Sequence, residues 1–495
     1  MIAWLAERAR ISPNRPALHL GDRTIPYSEL AARVDRTERG LAALRVGPRD
    51  IVAVLLGSGL AFVEVLHAVA LRGAVLLPLN TRLAPRELSQ QLGESGARVL
   101  LHGAGPLAEL ATAASAVVGV SRSLCRVELE RCGEPALTAQ AAGLGSVKAE
   151  RPDVDPERTL ALVYTSGTTG TPKGALLPHR SFFWSAVGSA LHLGVLPDDR
   201  WLACLPFFHV GGLSILLRSA LYGTAAIVHE HFDPDAVNRT LDDEGATLVS
   251  LVPSMLERVL DARHGRRAPR RLRCVLLGGA PAPGALVERA RSQGFPVVTS
   301  YGLTEAASQV ATQSLESEGA AIGAGLQPLL GTEVRVLDAR GAAVRGEPGE
   351  ICVRGPTLMT GYLDRPEETS RALRGGWLHT GDIGLLDAAG GLRVLDRRDD
   401  LIISGGENIY PTEVESILLE HPAVAEAAVT GLLDREYGRR PAAWLVRSPG
   451  GTADVEELRR FCTDRLARFK IPVAFTFVDE LPRNAAGKLE RHRLA

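Results

Sequence analysis

Eleven residues, Tyr164 to Gly174, read YTSGTTGTPKG and follow directly on the apolar run Leu160 to Tyr164. A strand that ends in Ser166-Gly167-Thr168-Thr169-Gly170 can hold a polyphosphate. The glycines let the backbone fold around an anion, while hydroxyls and free N–H groups supply donors. Lys173 adds a mobile positive charge. The spacing is not that of a Walker A loop, which needs G-x-x-x-x-G-K followed by Ser or Thr, because Gly174 follows the lysine. A nucleotide-triphosphate switch protein is therefore disfavoured. A second signal is the scarcity of lysine: of 56 basic residues only Lys148, Lys173, Lys470 and Lys488 are lysines. Where arginine serves as the generic cation, a retained lysine marks a place that needs a compact ammonium rather than a planar fork.

Six further motifs follow the loop in order: LPFFHVGG (205–212), GGAP (278–281), YGLTE (301–305), TGD (380–382), DRRDDLIISGGENIYPTEVE (396–415) and PRNAAGKLER (482–491). Together the seven resemble the signature of the adenylate-forming superfamily, which comprises acyl-CoA synthetases, peptide-synthetase adenylation domains and firefly-type luciferases. The resemblance implies two half-reactions. A carboxylate attacks the α-phosphorus of ATP, giving an acyl-adenylate and pyrophosphate, and coenzyme A then takes the acyl group as a thioester. Such transfer is catalysed mainly by positioning and charge neutralisation. The resemblance implies that Thr165, Ser166, Gly167, Thr168, Thr169, Gly170 and Lys173 hold the β- and γ-phosphates, and that Glu305 carries Mg²⁺, a hard oxygen ligand for a hard cation. It places adenine between Gly279-Ala280-Pro281 and Tyr301, and the ribose against Asp382 and Arg397. Lys488 is expected to bridge the acid and the α-phosphate. A rotation of the C-terminal domain about Asp399 then withdraws Lys488 and brings Gly405 and Gly406 in to leave room for the pantetheine arm.

Within the superfamily, LPFFHVGGLSILLR and SYGLTEAASQVAT are most similar to the o-succinylbenzoate–CoA ligases of menaquinone biosynthesis. Arg218 lies in a mostly apolar segment, GGLSILLRSALYG, and a buried arginine requires an anionic partner. The resemblance implies that Arg218 faces the second carboxylate of a dicarboxylic acid, with Ser308 near it and His209 beside the aromatic ring. The plainer alternatives are an internal salt bridge or a surface position for Arg218, and core packing for His209. Another aryl- or fatty-acyl-CoA ligase, a stand-alone adenylation domain serving a carrier protein, and an adenylate-binding protein without turnover also stand as alternatives.

The elements that must position these residues are an α/β set. A hairpin is expected around Gly21-Asp22, then a helix capped by Ser28 and ending at Gly47-Pro48. A strand at Ile51 to Leu56, a helix at about Ala61 to Leu71 and a strand at Ala74 to Leu79 form a strand–helix–strand unit of a mostly parallel sheet. Similar pairs recur at Thr247 to Leu260 and at Cys274 to Leu277. From Val334 short strands and turns indicate an antiparallel region. Beyond Asp399 the pattern is a compact α+β unit: a helix from Pro411 with Glu413 and Glu415 complementing its dipole, strands near Val424 to Leu432 and Ala442 to Val446, and a helix over Asp454 to Arg468. The expected organisation is a large domain, 1–398, of mostly parallel sheets wrapped by helices plus a β subdomain, and a small mobile domain, 399–495.

The bulk properties narrow the class. A chain of 495 residues is too long for one core. A net charge of −1 provides no field to recruit nucleic acid or an anionic membrane, and the basic run His264 to Arg273 lacks aromatic residues and reads as a solvated loop. The apolar stretch from Ile51 to Leu79 is interrupted by Glu64, His67 and Arg72, which excludes an uninterrupted spanning helix. The N-terminus carries Glu7 and Arg8 where a secretion signal needs an apolar run. None of the six cysteines forms a C-x-x-C pair, so buried free thiols and a cytoplasmic location are expected.

Overall fold

In the computed structural model the residues described are 4–116, 125–129, 155–165, 172–280, 282–315, 325–396, 401–448, 451–482 and 491–494. Ile51–Leu55 and Val75–Pro78 are parallel strands joined by the helix Leu60–Arg72. They belong to a seven-stranded sheet in which Thr159–Thr165, the strand leading into the glycine-rich loop, lies beside Val75–Pro78. On its other side it pairs antiparallel with Lys173–Pro178, so the loop closes a hairpin with Thr165 opposite Lys173.

A nine-stranded sheet supplies most of the other motifs. Its core strands Ala225–Val228, Arg200–Ala203, Leu248–Leu251, Cys274–Leu277 and Val297–Leu303 run parallel. LPFFH, Val252, Gly278-Gly279 and YGLTE therefore emerge at one edge, the carboxyl ends of the strands, where open α/β sheets bind ligands. Glycine is required in YGLTE by close approach: a Cβ on Gly302 would lie 2.0 Å from the Ser308 carbonyl oxygen. Glu333–Leu337, Gly349–Arg354 and Trp377–Leu386 form the expected antiparallel region.

Of the residues that interrupt the apolar stretch, Glu64 and His67 are buried and Arg72 is partly buried. Glu64 accepts from Arg33 Nε at 2.5 Å, and Arg72 donates to Glu38 at 3.0 Å, joining Leu60–Arg72 to the helix Tyr27–Ala43. That helix starts one residue before the expected cap, with Pro26 at the N-cap position, so Ser28 is inside it. Proline's fixed φ and missing N–H suit a helix start without any side-chain bond.

Residues 402–477 form a five-stranded sheet of their own, with the helices Pro411–Leu419 and Val455–Thr463 packed into its core. The latter helix is shorter than the expected Asp454 to Arg468: it has Asp454 as its cap and ends at Thr463, with a separate 3₁₀ turn at Arg468–Lys470. Glu413 and Glu415 do more than complement a dipole. Both are buried, Glu413 against Lys470 and Glu415 against Arg491 and the Val429 N–H. Residues 264–273 are mostly exposed loop, with Arg273 paired to Asp199. Cys204, Cys274, Cys352 and Cys462 are buried free thiols. Among the described residues no helix is long and apolar enough to cross a membrane.

Candidate active site

A cleft of about 720 Å³ opens at the carboxyl edge of the nine-stranded sheet. Lys173, His209, Arg218, Gly279, Glu305, Ser308 and Asp382 line it together with Gly405 and Gly406. Residues more than two hundred positions apart thus face one space. Ser166, Gly167, Thr168, Thr169, Gly170, Pro281, Arg397, Asp399 and Lys488 lie outside the described residues.

At the phosphate-loop end, Thr165 and Lys173 also line the cleft. Partial burial lowers the Lys173 pKa against the pull of Glu368. Its ammonium lies 5.5 Å from the centre of the Tyr362 ring, and the Tyr362 hydroxyl donates to Glu305 Oε1 at 2.9 Å. Tyr362 therefore contacts both the Lys173 ammonium, through its ring, and the Glu305 carboxylate, through its hydroxyl. It was not anticipated from the sequence, because the strand Gly361–Tyr362 is only two residues long.

Asp382 projects from a bulge. Glu350 pairs with Ile383 and Cys352 with His379, so Thr380-Gly381-Asp382 is extra chain opposite Ile351. The bulge is pinned by Thr380 Oγ1 donating to the Ile351 carbonyl and by Gly381 N donating to Glu350 Oε1. Tyr301 is buried and donates its hydroxyl to Asp382 Oδ2 at 2.6 Å, which fixes the carboxylate. Gly279 lines the cleft, and Ala280 follows it in the chain.

Arg218 is buried, 3% exposed, on the helix Val210–Tyr222. Among the described residues no carboxylate lies within salt-bridge distance of it. Its Nη2 donates to Ser185 Oγ at 3.1 Å, and its guanidinium lies 5.6 Å from the centre of the Trp201 ring. Ser185 in turn donates to the Ala307 carbonyl at 2.8 Å, next to Ser308. Desolvation lowers the Arg218 pKa, as expected for a buried cation lacking an anion. Ser185 and Trp201, on different elements, were not legible as site residues.

From the C-terminal sheet, the hairpin of Ile402–Ser404 and Glu407–Ile409 inserts its turn into the cleft. Gly405 and Gly406 have φ of 57° and 86°, the left-handed pair that a two-residue hairpin turn requires. Glu407 is buried and accepts from His209 Nε2, Asn80 Nδ2 and Arg82 Nη1, each at 3.1 Å. Burial alone would raise its pKa, but His209 foremost, with Arg82 and Lys470, holds it below the usual value.

Comparison with known proteins gives the family. The AMP-binding enzyme model matches residues 5–363, and the AMP-binding enzyme C-terminal domain model matches 413–488. The chain belongs to the AMP-binding enzyme family. A 2-succinylbenzoate–CoA ligase from Geobacillus sp. (strain WCH70) is 43% identical, with 99% of this chain and 96% of the relative aligned. Two structures of the o-succinylbenzoate CoA synthetase MenE from Bacillus subtilis each cover 100% of this chain and 98% of their own. A double mutant bound to its product analogue OSB-NCoA superposes with a TM-score of 0.91 at 39% identity. The complex with the acyl-adenylate intermediate OSB-AMP gives 0.74 at 40% identity. At nearly the same sequence identity, this AMP-binding enzyme superposes more closely on the product-analogue complex than on the adenylate complex.

Proposed function

We propose that the chain is an AMP-forming 2-succinylbenzoate–CoA ligase, which activates the succinyl carboxylate with ATP and passes the acyl group to coenzyme A. The observation that carries the choice of acid is Arg218: a buried guanidinium facing the cleft, with no internal carboxylate among the described residues to neutralise it. A dicarboxylate substrate supplies the missing charge through its ring carboxylate, and Trp201 and Ser185 orient the guanidinium toward it. A benzoate or fatty acid would leave that cation unpaired.

In the proposed first step Thr165 and Lys173, with residues 166–170, bind the β- and γ-phosphates. Asp382 accepts from the ribose hydroxyls, with Arg397, and adenine lies along Gly279-Ala280-Pro281 by Tyr301. Glu305 suits Mg²⁺, because its carboxylate is the hard oxygen donor that lines the phosphate end of the cleft and Tyr362 holds it in place. The ion would supply charge neutralisation on the phosphates. Lys488 holds the attacking carboxylate against the α-phosphate. In the second step the C-terminal domain, beginning at about Asp399, turns about that residue and seats Gly405 and Gly406 in the cleft, where the missing side chains leave a path for pantetheine. The reading locates the enzyme in the cytoplasm, where its buried thiols stay reduced.

ATP–pyrophosphate exchange with a panel of acids tests this. Exchange is expected with o-succinylbenzoate and at most weakly with benzoate, a medium-chain fatty acid or amino acids. Preference for any of the others would overturn the choice of acid.

A further inference from the structure

Two of the four lysines, Lys173 and Lys488, belong to motifs that handle phosphates and the acid; Lys470 does not. Its side chain is 4% exposed, and its ammonium lies 2.6 Å from Glu87 Oε1 and 2.7 Å from Glu413 Oε1. Glu87 is in the helix Pro85–Ser95 of the large N-terminal part, and Glu413 is in the helix Pro411–Leu419 of the C-terminal sheet unit. We infer that Lys470 is a positioning residue for thioester formation, clamping Glu87 to Glu413 and so holding the C-terminal unit where Gly405, Gly406 and Glu407 line the cleft. The inference rests on the two-step reading proposed above.

The residue type fits the task. An ammonium presents three donors around one point and can sit between two carboxylates, whereas a planar guanidinium directs its donors into one fork. The clamp is also part of a wider contact. Residues 80–87 meet the C-terminal unit four times: Asn80 and Arg82 at Glu407, Arg86 at Glu420 and Glu87 at Lys470.

The charge balance favours release as well as docking. Two carboxylates share one ammonium, and Glu413 Oε2 is buried without a hydrogen-bond partner. If the C-terminal unit swings away, Lys470 keeps Glu413 and travels with it. Glu87 then returns to water with its other oxygen still accepting from the Ala84 N–H at 2.8 Å. No charge is left buried and unpaired on either side, so the clamp can open and close within a catalytic cycle.

Glu87→Gln is the discriminating variant. Its single amide oxygen can keep the helix cap at the Ala84 N–H, while the NH2 that replaces the second oxygen cannot accept from Lys470, so the variant removes both the charge and the bond across the boundary. Single-turnover measurements should separate the halves: pyrophosphate release on mixing with ATP and acid, and thioester formation from supplied acyl-adenylate and coenzyme A. Thioester formation is expected to fall about 10-fold, within the usual span of coupling between sites, while pyrophosphate release stays within about 2-fold. Lys470→Arg, which keeps the charge and loses the geometry, should fall in the same direction. Equal loss in both halves, or unchanged thioester formation in both variants, overturns the clamp. Failure of the wild type to form a thioester from any acid would instead contradict the two-step reading itself.

Discussion

Arg218 sits at a depth where a guanidinium is costly unless an anion meets it, and the nearby protein groups that orient it, a serine hydroxyl and an indole ring, are neutral. Truncating it should therefore weaken recognition of a dicarboxylate far more than it harms the fold. In steady-state assays, Arg218→Ala is expected to raise KM for o-succinylbenzoate by the equivalent of roughly 2–5 kcal/mol, the range for breaking a buried charge pair. An unchanged KM would remove Arg218 from the acid site. The sequence made Arg218 conspicuous, because one charge in GGLSILLRSALYG stands out against its apolar neighbours. It could not reveal Ser185 and Trp201, small or apolar residues on other elements whose role arises only when the sheet folds. Two buried histidines add a pH dependence. Burial pushes the pKa of both His67 and His179 down to about 4 from 6.5. Their unfolded forms bind protons first, so each contributes stability above pH 6.5 that is lost as pH falls from 6.5 toward 4, up to about 3 kcal/mol per residue. Thermal unfolding should show Tm dropping across that window, and His67→Leu should flatten the drop.

At the scale of elements, the turn Gly405-Gly406 connects backbone geometry to chemistry. Both residues need left-handed φ, and a Cβ on Gly405 would lie 3.0 Å from the Tyr437 ring. Gly406→Val should therefore disturb the tip of the hairpin, at roughly 1–2 kcal/mol of backbone strain. It should slow thioester formation while leaving pyrophosphate release near the wild-type rate, and parallel loss in both assays would count against a role confined to the second step. The strand–helix–strand units were legible because each apolar run is short and bounded by turn residues, and the parallel sheet follows from that pattern. The start of the helix Tyr27–Ala43 was misplaced because Pro26 can begin a helix without a side-chain cap, and Ser28 offered a more familiar signal. The bonds of Glu407 were hidden for another reason: its partner Asn80 lies 327 residues away. No local pattern encodes a contact of that separation.

For the whole molecule, the chain has the arrangement in which the C-terminal hairpin occupies the cleft, and it superposes better on a relative's product-analogue complex than on its adenylate complex. An enzyme working in two arrangements should be separable by mutation. Lys488→Ala is expected to cripple adenylation and to spare thioester formation from a supplied acyl-adenylate, the reverse of the pattern for Glu87→Gln. Equal loss of both steps would contradict a rotating second domain.

The most direct test compares kcat/KM for o-succinylbenzoate with kcat/KM for its analogue lacking the ring carboxylate, 4-oxo-4-phenylbutanoate, in the wild type and in Arg218→Ala. The wild type is expected to prefer the dicarboxylate by about 30-fold or more, corresponding to roughly 2 kcal/mol, and the preference is expected to collapse to within a few-fold in the variant. A wild type that uses both acids equally well, or a variant that keeps the full preference, would contradict this expectation.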